Sequence, residues 1–131
     1  MTQGEIESDH GAKTTVQSTA SGKLVCEKLQ KLGYFEDAQD AFRFAVCYAL
    51  ANELRPEEKV SKDREGKGFT WSVTGLDPNQ ALRILVSEFA IESRPANQRD
   101  QYNQIEILGN LGLEEIGRRI DSGDYFSELI V

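Results

Sequence analysis

Residues 37–54 read DAQDAFRFAVCYALANEL. Between Ala41 and Ala51 only Arg43 is strongly polar, so the stretch has no solvated face wide enough for an ordinary surface helix. It reads as the central helix of a small domain. Ala41, Phe42, Ala45, Val46 and Ala49 form one ridge, and Phe44, Tyr48 and Ala51 a second; the alanines allow another helix to come close. Asp37 is the expected cap, with Asp40 at the positive end of the helix dipole, and Arg55-Pro56 is the expected stop.

Upstream, Ser21 can cap a first helix with Leu24, Val25, Leu29 and Leu32 inward and Lys23, Glu27, Lys28 and Lys31 outward. Gly33 ends it, and Tyr34 and Phe35 make the corner into the central helix. Residues 1–20 are rich in Thr, Ser, Gln, Gly and Glu, which predicts a disordered tail holding the single histidine, His10.

Downstream, Glu57 to Gly68 is a charged loop, and Phe69–Val73 alternates apolar and polar. The latter predicts an extended segment without a partner strand, with Phe69, Trp71 and Val73 on the core. Asp77-Pro78-Asn79-Gln80 predicts a helix from Pro78 to about Glu92, with Leu82, Leu85 and Phe89 on its apolar face. A fourth helix starts near Gln98 or Asp100, and Gly109-Asn110-Leu111-Gly112 should bend or end it. A further helix carries Leu113, Ile116 and Ile120 inward and ends at Gly123. Asp124 can cap a last turn whose Tyr125, Phe126, Leu129, Ile130 and Val131 cover the core edge. The expected fold is an all-α single-domain helical bundle of about four to six helices over residues 21–131, with one short extended segment.

At 131 residues the chain can bury one core. Its net charge is -7 and its pI about 4.8, which argues against a surface built as a whole to hold nucleic acid. Residues 55–68 are locally net positive. Cys26 and Cys47 sit in apolar helical patterns and are expected to be small buried thiols. Residues 1–20 hold no apolar core of a signal peptide, and no run approaches the ~20 apolar residues of a membrane span, so a cytoplasmic protein without a membrane partner is expected.

The chain lacks a P-loop, a G-x-G-x-x-G, an H-E-x-x-H and a G-x-S-x-G motif. Glu57/Glu58 and Glu114/Glu115 are adjacent pairs whose side chains diverge rather than face one substrate. No catalytic, cofactor-binding or metal-ligating residues are therefore assigned, and an enzyme is not expected. Lys23, Lys28 and Lys31, together with Lys59, Lys62, Arg64 and Lys67 in the loop, can hold phosphates if the fold gathers them, or can simply solubilise exposed faces. The apolar segment Tyr125–Val131, with the aromatic residues concentrated around the central helix, can leave a patch that pairs with a second copy or another protein, or can fill the core.

KLGYFEDAQDAFRFAVCYAL and the later QIEILGNLGLEEIGRRIDSGDYFSELI together resemble a family of small proteins associated with bacterial DNA phosphorothioation (dnd) systems. Phe35, Asp40, Phe42 and Ala45 match the aromatic–alanine helix of that family; Asn110, Gly112 and Leu113 match its glycine-bearing helix. The resemblance implies a non-catalytic accessory or regulatory protein of a DNA sulfur-modification or defence system, acting through protein contacts. The other reading is a DNA-binding regulator using the first helix and the 55–68 loop.

Overall fold

The computed structural model of the protein describes residues 12–55, 67–89, 95 and 97–129. In chain order the elements are β1 (Thr15–Gln17), α1 (Ala20–Lys31), α2 (Ala38–Ala51), β2 (Thr70–Ser72), α3 (Val73–Leu76), α4 (Ala81–Phe89), α5 (Gln98–Asp121) and α6 (Phe126–Leu129). The fold is the expected helical bundle, with one small two-stranded sheet among the described residues. Its core is the ridge of α2: Ala41, Phe42, Ala45, Val46 and Ala49 are all fully buried. Arg43, the one strongly polar residue of that stretch, lies half-buried and serves the fold. Its guanidinium donates to the carbonyls of Leu76 and Gly75 at the end of α3 and pairs with Asp40 at 2.5 Å.

The most extensive contact joins α2 to α5. Contrary to expectation, α5 runs unbroken for 24 residues through Gly109-Asn110-Leu111-Gly112. The glycines cost helix propensity but serve packing, because a β-carbon at Gly109 would meet the Phe42 ring and one at Gly112 the backbone of Ala45. Gly117 faces Val25 of α1 in the same way, the valine methyl lying 2.7 Å from where its β-carbon would stand. Small residues on both helices let the backbones approach, and that contact outweighs the local propensity.

Residues 12–20 correct the expected 1–20 tail, because they belong to the folded domain. β1 pairs antiparallel with β2, Val16 opposite Trp71, so the extended segment does have a partner. Val16 is fully buried, worth roughly 1.5–3 kcal/mol. Polar side chains of α5 hold the strand: Asn110 accepts from the Thr19 amide (2.8 Å) and donates to the Gln17 carbonyl (3.0 Å), and Glu106 accepts from the Gln17 amide (2.7 Å). Lys13 lies 3.6 Å from the Glu106 carboxylate. His10 lies outside the described residues.

Asp77 is buried and accepts from the amides of Leu82 (2.9 Å) and Arg83 (3.1 Å) and from the Tyr102 hydroxyl (2.8 Å). It caps the helix as expected, but α4 begins at Ala81 rather than Pro78, after a turn that puts Gln80 at φ +62°. Three helices end alike. In each, the residue at C″ donates its amide to the carbonyl five residues back: Tyr34 to Leu29, Leu54 to Ala49, Asp124 to Arg119. The left-handed position in these turns is Gly33 (φ +87°), Glu53 (φ +54°) and Gly123 (φ +102°).

Candidate functional site

The solvent face of α1 collects the residues singled out from the sequence. Thr19, not Ser21, is the cap: its hydroxyl accepts from the Gly22 amide at 2.8 Å. Lys28 and Lys31 sit in the last turn, where the dipole favours cations. The buried stripe is Gly22, Cys26 and Leu29 rather than the expected set. Gly22 is pressed against Asn110 and Leu113 of α5, so the helix turns its smallest residues inward. Leu24 (66% exposed) and Leu32 (49%) are thereby turned out to solvent. Val25 stays half-buried against the core.

The cations around these leucines are unequal. Lys23 places its ammonium 5.2 Å from the centroid of the Phe69 ring, a contact worth ~0.5–1 kcal/mol at an exposed site. The fold therefore sets the α1 face beside the end of the charged loop, where Lys67 is exposed two residues before Phe69. Lys28 is tied to Asp121 of α5 at 2.5 Å, which cancels its charge locally. Lys31 is exposed and has no ion pair among the described residues. Lys59, Lys62 and Arg64 lie outside the described residues. The structure thus joins Lys23 with Lys67, leaves Lys31 at the far end of α1, and neutralises Lys28.

A second apolar feature surrounds Phe126 of α6. Its ring stacks on Tyr34 (centroids 4.5 Å apart, planes 18° apart) and meets Phe44 at 5.2 Å and Phe35 edge-on at 5.7 Å. Leu129 is buried, whereas Tyr125 is 73% exposed, so only part of the segment covers the core. Ile130 and Val131 lie outside the described residues. The sequence placed Tyr34 and Phe35 at the corner before the central helix and Phe126 at the core edge; the structure brings these rings together with Phe44 of α2.

The remaining expectations are mixed. Cys26 is buried, and Cys47, expected to be buried, is exposed; both are free thiols. Phe89, expected on the apolar face of its helix, is 62% exposed, as is Ile84 at 59%. Among the described residues no three His, Cys, Asp or Glu side chains are grouped to hold a metal ion, and no helix is long and apolar enough to cross a membrane.

Fold and surface together define a small helical bundle with an apolar–cationic helix face. No protein-family model, curated protein or solved structure matches the chain.

Proposed function

We propose that the protein is a non-catalytic accessory or regulatory module that works by holding another protein on the outer face of α1. The observation that supports this is the exposure of Leu24 and Leu32 on a helix that carries Lys23 and Lys31 beside them, Lys28 being paired with Asp121. Apolar anchors rimmed by cations suit a partner surface that is apolar at its centre and acidic at its edge. The family resemblance supplies a setting, the machinery of DNA sulfur modification, and so names the components to test first. A Leu24→Glu/Leu32→Glu chain should keep its helical circular dichroism and lose binding to such a component. Undiminished binding by the folded double variant would overturn the proposal.

A second reading, a DNA-binding regulator, is favoured by one observation: Lys23 on Phe69 draws the α1 face and the loop end bearing Lys67 to one side. Gel shifts across a salt series discriminate the two. A steep loss of binding with salt supports phosphate contacts, and absence of a shift even at low salt removes the regulator.

A further inference from the structure

We infer that the Lys23 end of the α1 face is closed by the chain's own stretch Glu5-Ile6-Glu7, which folds back along the sheet to set its carboxylates against Lys23 and Lys67, so that a partner gains the face by displacing it. This rests on the reading of α1 as a docking face and adds its regulation. Residues 1–11 carry the side-chain carboxylates of Glu5, Glu7 and Asp9 and no lysine or arginine, and Ile6 stands between the two glutamates. The stretch is an apolar centre with an acidic edge, in miniature the surface that the α1 face suits. On the receiving side Leu24 is exposed, and neither Lys23 nor Lys67 has an ion pair among the described residues.

The reach agrees. From Ala12 the chain runs through β1 to Ser18, whose amide donates to the Phe69 carbonyl (2.9 Å) and whose hydroxyl accepts from the Phe69 amide (2.8 Å). The Lys23 ammonium stands over that same Phe69 ring, and Lys67 lies just before it in the chain. Thr19 follows Ala12 by as many positions as Glu5 precedes it, and each span is roughly 23 Å of extended chain. Folded back on the strand, Glu5 therefore arrives level with Phe69, with Glu7 a short side chain's length behind. The exposed side chains of the sheet along that path, Thr14, Thr15, Thr70 and Ser72, are uncharged and do not repel it. Lys31 stands about 12 Å further along α1 than Lys23 and is out of range.

The test is zero-length carbodiimide cross-linking of the full chain, dilute and without any partner, read by peptide mass spectrometry. At low salt Glu5 and Glu7 should form amides with Lys23 and Lys67, and they should lose them at 1 M salt, where the Debye length is about 3 Å. Asp9, too near Ala12 to reach, should link to neither, and Lys31 should stay unlinked. In a Glu5→Gln/Glu7→Gln chain, acetylation of Lys23 and Lys67 should speed up by roughly twofold or more, because a short tether holds the wild-type stretch at about millimolar effective concentration. Lys31 should react at the same rate in both chains, and circular dichroism checks that the fold is kept. Cross-links confined to the sequence neighbour Lys13 would overturn the inference. So would linkage to Lys31 as ready as to Lys23, or lysine acetylation that ignores the two substitutions. Each of these failures leaves the docking face standing, since that reading is judged by the binding loss of Leu24→Glu/Leu32→Glu.

Discussion

The ring of Phe42 fills the space that a β-carbon on Gly109 would need, so the two residues are a single packing unit split between α2 and α5. Phe42→Ala should cost about 3–5 kcal/mol through the cavity it leaves. Gly109→Ala should cost about 1–3 kcal/mol by overpacking. In the Phe42→Ala background the added methyl finds room, so the double variant should be more stable than the two losses predict, with a coupling of about 0.5–3 kcal/mol. Urea midpoints of the four chains measure this. Additive losses would show that Gly109 is small for another reason.

Gly112→Ala should be worse than Gly109→Ala. Its methyl would collide with the backbone of Ala45, which cannot rotate away as a side chain can. The expected result is loss of cooperative thermal unfolding, or a cost at or beyond the top of the ~1–3 kcal/mol overpacking range.

Glu53 adopts φ +54° in the turn that ends α2, the place that Gly33 and Gly123 hold after α1 and α5. A non-glycine residue is strained there, so Glu53→Gly should stabilise the protein by about 0.5–1 kcal/mol. Gly33→Ala should destabilise it by a similar amount, although open space surrounds Gly33. Thermal melts of the pair, shifting in opposite directions, check both.

Asn110 joins α5 to the segment before α1 by two hydrogen bonds, to Thr19 and Gln17, and its side-chain amide donates a third within α5 to the Glu106 carbonyl at 2.9 Å. Asn110→Asp keeps the acceptor for Thr19 but turns both donors into acceptors facing carbonyl oxygens. The β1 strand should then loosen, with hydrogen exchange at the Val16 amide and neighbouring positions accelerating before the core of α2 is affected. Uniform acceleration across the chain would show that β1 and α2 open together.

The helical class, the central position of α2 and the stops at Gly33 and Gly123 were legible because they follow from local chemistry: apolar density and left-handed turns. The burial of residues 12–20 was not. Val16 is a lone aliphatic residue in a polar stretch, and its reward comes from Trp71, Glu106 and Asn110, far away in sequence. Continuity through Gly109–Gly112 escaped notice for a related reason, since propensity counts the penalty of glycine and not the helix it admits. On α1 the apolar residues suggested Leu24 and Leu32 as core, whereas Gly22 and Cys26 won the interior by being small enough for close approach. Of the cationic site, the sequence supplied the members; the Lys28–Asp121 pair that neutralises one of them joins two helix ends and leaves no local signal.

Alkaline pH should weaken the fold from the inside. Burial, and after it the neighbouring Glu27 carboxylate, pushes the Cys26 thiol up to about 12 from an ordinary value of 9.0. The Tyr102 phenol is also raised, first by burial and then by its hydrogen bond to the Asp77 carboxylate. Both groups stay neutral in the folded chain while their unfolded counterparts ionise, so deprotonation favours the unfolded state. Their contribution is whole below pH 9 and falls as pH rises toward the folded values, at a slope of up to about 1.4 kcal/mol per unit for each group. Cys26→Ala should flatten the slope between pH 9 and pH 10, where the tyrosine has not begun to contribute, and Tyr102→Phe should flatten it above pH 10. Thiol labelling gives an independent check: exposed Cys47 should react with a disulfide reagent in the native protein, and Cys26 only as fast as the chain opens. Equal labelling rates at neutral pH would mean that the interior of α1 is open to solvent, and the predicted alkaline slope would then lose its cause.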